Sequence, residues 1–208
     1  MKSNLILLAC FASGIAFGYS GNAPEWLQSH ELPGIILTVL VIQVGISLGG
    51  NKDLIATLKQ VNPKMFCLPL FTIAGTLFFT AIGGLMLHGI SLRDSLAVGS
   101  GFGYYSLSSV LISQMKITTA GAQVAGELAT IALLANIIRE MISLFGTPLI
   151  TKRCGFLAPI SVAGINSMDV CLPTIMRSTG KNELMPVAVL HGIVLEISVP
   201  LLISFFCC

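Results

Sequence analysis

Charge is scarce in this chain. Lys, Arg, Asp and Glu together make up 10% of its 208 residues, against roughly 25% in soluble domains. With 54% hydrophobic residues and a mean hydropathy of +0.91, that scarcity excludes a soluble globular domain. An integral membrane protein with little polar mass outside the bilayer is left. The basic residues are scattered over short links, so the net charge of +2 offers no nucleic-acid surface. Metal-ligand and redox spacings are missing too. Cys10, Cys67, Cys154, Cys171, Cys207 and Cys208 form no CxxC and read as small hydrophobes rather than a disulfide framework. No metal and no cofactor is expected.

Enzyme signatures are also absent. Without a P-loop, ATP-driven pumping by this chain is excluded. An intramembrane aspartyl protease needs two apposed aspartates, and Asp169 is the one aspartate deep in an apolar run. A rhomboid-like protease needs a Gly-x-Ser-Gly elbow beside a helix histidine; His191 is available, the elbow is not.

What the chain does have is long apolar runs. Requiring about 20 residues per helix gives seven, near 4–20, 32–50, 65–87, 95–115, 122–149, 158–177 and 184–206. The first follows Lys2 but lacks a small-x-small cleavage site, so it reads as a span and not a leader. Residues 1–208 form one polytopic, all-α membrane domain. The link 51–64 holds Lys52, Lys59 and Lys64, which places it in the cytoplasm by the positive-inside rule. Counting passes gives a cytoplasmic N-terminus and an outer C-terminus. On this count Lys152 and Arg153 fall outside, against the rule.

Two runs are interrupted. Gly164-Ile165-Asn166-Ser167-Met168-Asp169-Val170-Cys171-Leu172-Pro173 sets a carboxylate between helix breakers, where an acid at the bilayer centre costs about 2.5–3.5 kcal/mol. Val98-Gly99-Ser100-Gly101-Phe102-Gly103-Tyr104-Tyr105-Ser106-Leu107-Ser108-Ser109 is dense in glycine and hydroxyls. It reads either as a Gly-xxx-Gly helix contact or as an unwound stretch lining a cavity. Unwound backbone survives at membrane depth only inside protein or beside water, and paired interrupted helices point to a secondary transporter's midplane site.

Further polar residues lie in apolar surroundings. Asn136 shares a helix face with Arg139 and Glu140 by i,i+3 and i,i+4 spacing. Arg139 and Glu140, as sequence neighbours, diverge by about 100°, so Arg139 is expected to seek a carboxylate on another helix, Asp169 or Glu196, or to serve an internal salt bridge. Asp169 reads as a solute- or ion-binding carboxylate and equally as a helix cap. His191 and Glu196, five apart, are candidates for a proton relay; a lone histidine in an apolar helix is otherwise a packing residue.

These residues resemble the LysO-type lysine exporter family of bacterial inner membranes. The resemblance rests on Val44-Gly45-Ile46-Ser47-Leu48, the run Ser100–Ser108, Asn136-x-x-Arg139-Glu140, Ser167-Met168-Asp169 with Leu172-Pro173, and Pro186 through His191-Gly192 to Pro200. It implies export of L-lysine from the inner membrane and a fold like that of cation/proton antiporters and anion transporters, with crossed broken helices. The resemblance implies an acidic site position at Asp169; with the buried polar residues, the candidate substrate and ion site takes in Asp169, Glu140, Arg139, Asn136, Asn166, Ser167, Tyr104, Tyr105, Ser106 and Ser108. Full-length members carry about three more N-terminal spans, so a small separate membrane subunit, or a homo-oligomer, is expected. A same-fold transporter of another amino acid or of sodium, and a non-transporting subunit, are the alternatives.

Overall fold

The computed structural model describes residues 63–87 and 89–208, with isolated positions at 13, 14, 16–19, 35, 39 and 42. The expected spans near 4–20 and 32–50, the start of the family resemblance at Val44–Leu48 and most of the link 51–64 lie outside the described residues. Within them the chain is helical. We label α1 Cys67–Met86, extended at its start by a 3-10 turn from Pro63, α2 Leu92–Gly99, α3 Tyr105–Ala120, α4 Ala122–Cys154, α5 Ala158–Ala163, α6 Leu172–Thr179 and α7 Met185–Cys207. A 3-10 segment, Gly164–Met168, joins α5 to α6.

Among the described residues three helices are long and apolar enough to cross a membrane: α1 with its leading turn, α4 and α7. The apolar runs at 95–115 and 158–177 do not cross. Each is broken at its middle and doubles back. Asp94 and Lys116 pair at 2.7 Å, although on one straight helix they would stand about 33 Å apart at 1.5 Å per residue. Therefore α2 and α3 are the arms of a hairpin with its base at 94 and 116. Likewise Lys181 Nζ lies 4.0 Å from the centre of the Phe156 ring, which joins the two feet of a second hairpin made of α5 and α6.

The hairpins start from opposite ends of the bundle. The second stands at the end that carries Lys64, Lys152, Arg153, Arg177 and Lys181, here called the basic end. The first stands at the far end, where Arg93 Nη1 donates to the Cys208 carbonyl at 3.1 Å. Among the described residues this leaves three crossing helices where five of the expected spans fall. Hydropathy measures how long an apolar run is, not whether the chain turns round inside it. The reassignment moves the connection 116–121 to the far end and brings Lys152 and Arg153 to the same end as Lys64.

Local chemistry explains the breaks. Ser91 caps α2, its hydroxyl accepting from Asp94 N at 3.1 Å and donating to the Asp94 carboxylate at 2.6 Å, a reciprocal cap of the kind that opens helices. At the first tip Phe102 has φ +43 and Gly103 φ +98, a left-handed turn that α-helix cannot continue. At the second, Gly164 has φ +64. Pro159 and Pro173 sit in the first turns of α5 and α6, where their missing N–H costs nothing. Gly180, with φ +65, ends α6 by donating to the Met176 carbonyl at 2.9 Å.

Helix α1 lies across both hairpins by a stripe of small residues four apart. Thr72 bonds Ser161 of the second hairpin at 2.7 Å; Thr80 and Gly84 press on Gly99 and Ser95 of the first. Its opposite face, with Phe71, Phe78, Phe79 and Leu85, is exposed, as a lipid-facing surface is.

Cysteines placed at 94 and 116 should be joined by a short bifunctional thiol reagent, with the link located by mass spectrometry. A run of residues 95–115 straight across the membrane would give no such product.

Candidate functional site

The two tips meet in the interior. Ile165 N donates to the Phe102 carbonyl at 3.0 Å, so one unwound segment satisfies the other's backbone. The contact is close enough to exclude side chains. A Cβ on Gly164 would overlap the Phe102 carbonyl oxygen, and one on Gly103 would lie 3.2 Å from the Ala163 carbonyl. Phe102 itself is fully buried, in the core cluster that also holds Leu195 and Val199 of α7.

Helix α4 fastens both tips through neighbouring turns. Asn136, buried, accepts from Gly103 N at 2.7 Å and donates to the Ala132 carbonyl at 2.8 Å and to Ser108 Oγ at 3.3 Å. Its amide thus serves the backbone N–H that the left-handed turn leaves over. One turn on, Arg139 donates through Nε to the Val162 carbonyl at 2.9 Å and through Nη2 to the Ser161 carbonyl at 3.0 Å. This corrects the expected carboxylate partner. A half-helix ending at Ala163 leaves carbonyls unsatisfied and carries partial negative charge, and that end receives the guanidinium. Among the described residues the ion pair is Lys116–Asp94, and Arg139 pairs with neither Asp169 nor Glu196.

The acids gather where the tips cross. Asp169 follows the 3-10 turn, its N–H donating to the Asn166 carbonyl at 3.3 Å, and its side chain is exposed. Glu140 of α4 and Glu196 of α7 are buried, 4% and 8% exposed. Asp169 lies within Coulombic reach of both. Tyr105 lies within Coulombic reach of Glu140 and Asp169, and Tyr104 of Glu196. Asn166 is buried beside Glu140, its side-chain amide turned to that carboxylate. A buried carboxylate without a counter-ion costs several kcal/mol. Because Arg139 is spent on carbonyls, the set has no cation of its own among the described residues.

Of the residues marked from sequence, the structure brings together Asp169, Glu140, Glu196, Tyr104, Tyr105 and Asn166. Asn136, Arg139 and Ser108 hold the tips instead. Ser167 and His191 form a separate chain of hydrogen bonds, in which Ser167 Oγ donates to the Ala188 carbonyl at 2.9 Å and lies 3.2 Å from His191 Nδ1. Ser106 is half-buried at the start of α3. Sequence reasoning missed Thr72 and Ser161; threonines at 72, 76 and 80, four apart in an apolar helix, were the available signal.

The lysine exporter LysO family matches residues 8–207. The chain belongs to that family. It is 32% identical to the lysine exporter LysO of Escherichia coli (strain K12) over 206 residues, 98% of this chain and 64% of the relative. It is 30% identical to a putative lysine exporter of Haemophilus influenzae (strain ATCC 51907 / DSM 11121 / KW20 / Rd) over 204 residues, 96% of each. The chain therefore spans just under two thirds of the Escherichia coli relative and nearly all of the Haemophilus influenzae one. No solved structure matches. The family is one of transporters and not of enzymes, in keeping with the missing catalytic signatures.

Replacing Gly164 by Ala should lower the thermal stability of the purified protein far more than Gly126→Ala, since a Cβ on Gly126 meets nothing within 4 Å. Asn136→Ala should cost about 1–3 kcal/mol by orphaning the buried Gly103 N–H, read as a fall in melting temperature in detergent.

Proposed function

We propose that this chain exports L-lysine across the inner membrane in exchange for protons, with the transport site where the two hairpin tips cross. The observation that supports this is the acidic set Asp169, Glu140 and Glu196, which has no cation of its own among the described residues and lies beside backbone that has left the helix. Lysine brings ammonium groups for the carboxylates. Tyr104, Tyr105, Ser106 and the Asn166 amide beside Glu140 supply hydroxyls and a donor for its amino-acid moiety. Helix α3 opens at Tyr105, so its N-terminal dipole points at the same place and favours the substrate carboxylate.

Energetics favour exchange. Lysine carries one net positive charge, and moving it outward against an inside-negative potential costs about 2.3 kcal/mol per 100 mV. One proton entering per lysine cancels that cost and adds the pH gradient as drive. A carboxylate that holds a proton or the ammonium in turn is enough, and Asp169 or Glu140 fits that role. A same-fold exchanger of sodium or of another amino acid uses the same acids, and competition with a panel of amino acids separates it. A subunit that only assembles with other membrane proteins would not need them. The partner expected from the longer relative is a small membrane subunit or a second copy of the chain.

The basic end faces the cytoplasm in this reading. It gathers Lys64, Lys152, Arg153, Arg177 and Lys181, against Arg93 and Lys116 at the far end, as the positive-inside rule requires. Lys152 and Arg153 then no longer conflict with it, and the C-terminus lies outside.

In everted vesicles, Asp169→Asn and Glu140→Gln should each cut proton-coupled lysine uptake at least tenfold while leaving the protein in the membrane. Lysine movement that carries no protons and ignores a pH gradient would sink the exchange mechanism. On intact cells an impermeant thiol reagent should label the native Cys208 and spare Cys154; the reverse would overturn the orientation.

A further inference from the structure

A second polar cluster lies away from the acids, and its hydrogens can be assigned. His191 of α7 is fully buried. Its Nδ1 lies 3.2 Å from Ser167 Oγ and its Nε2 3.0 Å from Thr72 Oγ1 of α1. Ser167 has committed its hydrogen to the Ala188 carbonyl, so it accepts from Nδ1–H. Nε2 is then the acceptor and takes the Thr72 hydrogen. Thr72, left with lone pairs, accepts from Ser161 Oγ at 2.7 Å. A neutral Nδ1–H imidazole serves the chain Ser161–Thr72–His191–Ser167–Ala188, with the Gly164 carbonyl of the same tip as a further acceptor beside the ring.

This network joins α1, both ends of the break in the second hairpin, and α7. Ser161 lies before Gly164 and Ser167 after it. Arg139, bonded to the carbonyls of Ser161 and Val162, is the charged group that α4 brings near the imidazole, and no carboxylate is bonded to the ring. The run of hydroxyls stops on a backbone carbonyl at Ala188, which passes no proton onward, so the geometry is that of a fixed clasp and not of a through-going relay. Met168, next in sequence to Ser167, is pressed against Gly192 of α7, which leaves the tip little freedom while the clasp holds.

We infer that His191, with Thr72 and Ser167, acts as a neutral clasp: a set of positioning residues that fixes the second hairpin tip, and through it Asp169, against α1 and α7. The inference rests on the reading of the tips as the transport site, but it has a readout of its own. Cys171, two residues beyond Asp169, is fully buried in the same tip, and its alkylation reports whether the tip is held.

The test treats membranes containing the full chain with N-ethylmaleimide, measures the labelling rate of Cys171 by mass spectrometry, and assays lysine uptake in everted vesicles alongside. Thr72→Val and Ser167→Ala should speed labelling of Cys171 about tenfold, the factor for one lost buried hydrogen bond of about 1.4 kcal/mol, and reduce lysine uptake. Thr72→Ser should restore both. His191→Gln, which keeps a donor and an acceptor but cannot titrate, should leave Cys171 protected and the pH profile of uptake as in the parent. Unchanged labelling in Thr72→Val and Ser167→Ala would overturn the clasp whatever happens to uptake. A His191→Gln protein with Cys171 protected but proton movement abolished would overturn it in favour of a relay. Faster labelling with uptake untouched would keep the clasp and refute instead the placing of the transport site at the tips.

Discussion

The arrangement depends on one backbone contact. Two segments leave the helical state at membrane depth, and each exposes peptide groups that lipid cannot satisfy. The bond from Ile165 N to the Phe102 carbonyl joins them, and it forms only because Gly164 and Gly103 present no side chains at the junction. Once the tips touch, the remaining backbone groups need specific partners. Asn136 takes the N–H of Gly103 and Arg139 takes the carbonyls before Gly164. Two residues of α4, Asn136 and Arg139, about one turn apart, therefore set the relative height of both hairpins.

That division of labour makes sense of the charge distribution. The one arginine in the interior of α4 is engaged by a helix end, so its charge is answered by carbonyl dipoles and is not available to the acids. Glu140, its sequence neighbour, turns to a different face and joins Asp169. A deep arginine and three deep or tip-borne carboxylates invite the reading of one mixed ion cluster. In space they form two separate systems, one that holds the fold and one that needs a cation from outside the described residues.

The sequence showed where the chain breaks and less of how it turns. Glycines at 99, 101, 103 and 164, with Pro173 and Asp169, are punctuation that apolar helices seldom carry, so both interruptions were visible. Their doubling back was not. Each apolar run has the length of a span, and only the conflict at Lys152 and Arg153 hinted that the count of crossings was wrong. The partner of Arg139 was hidden for a different reason: a backbone carbonyl has no residue type to find, whereas a carboxylate does. Tyr104, Tyr105 and Glu140 were legible as polar groups in apolar surroundings, though their convergence on Asp169 depends on the hairpins. Thr72 was missed although threonines at 72, 76 and 80 mark one face of α1, because the spacing does not say what that face meets, here Ser161, 89 positions on.

Opposed hairpins also bear on how the protein is made. Phe102 and Gly103 emerge from the ribosome well before Asn136 and long before Ile165, so the first hairpin must be inserted while its apex has no protein partner. It has to wait with that apex hydrated, or sheltered by the insertion machinery, until α4 arrives. The second hairpin can seat only when α7 brings Ala188 and His191 to receive it. Completion of the last helix is thus the event that seals the interior, and a nascent chain halted before it would leave a wet, unfinished cleft in the bilayer.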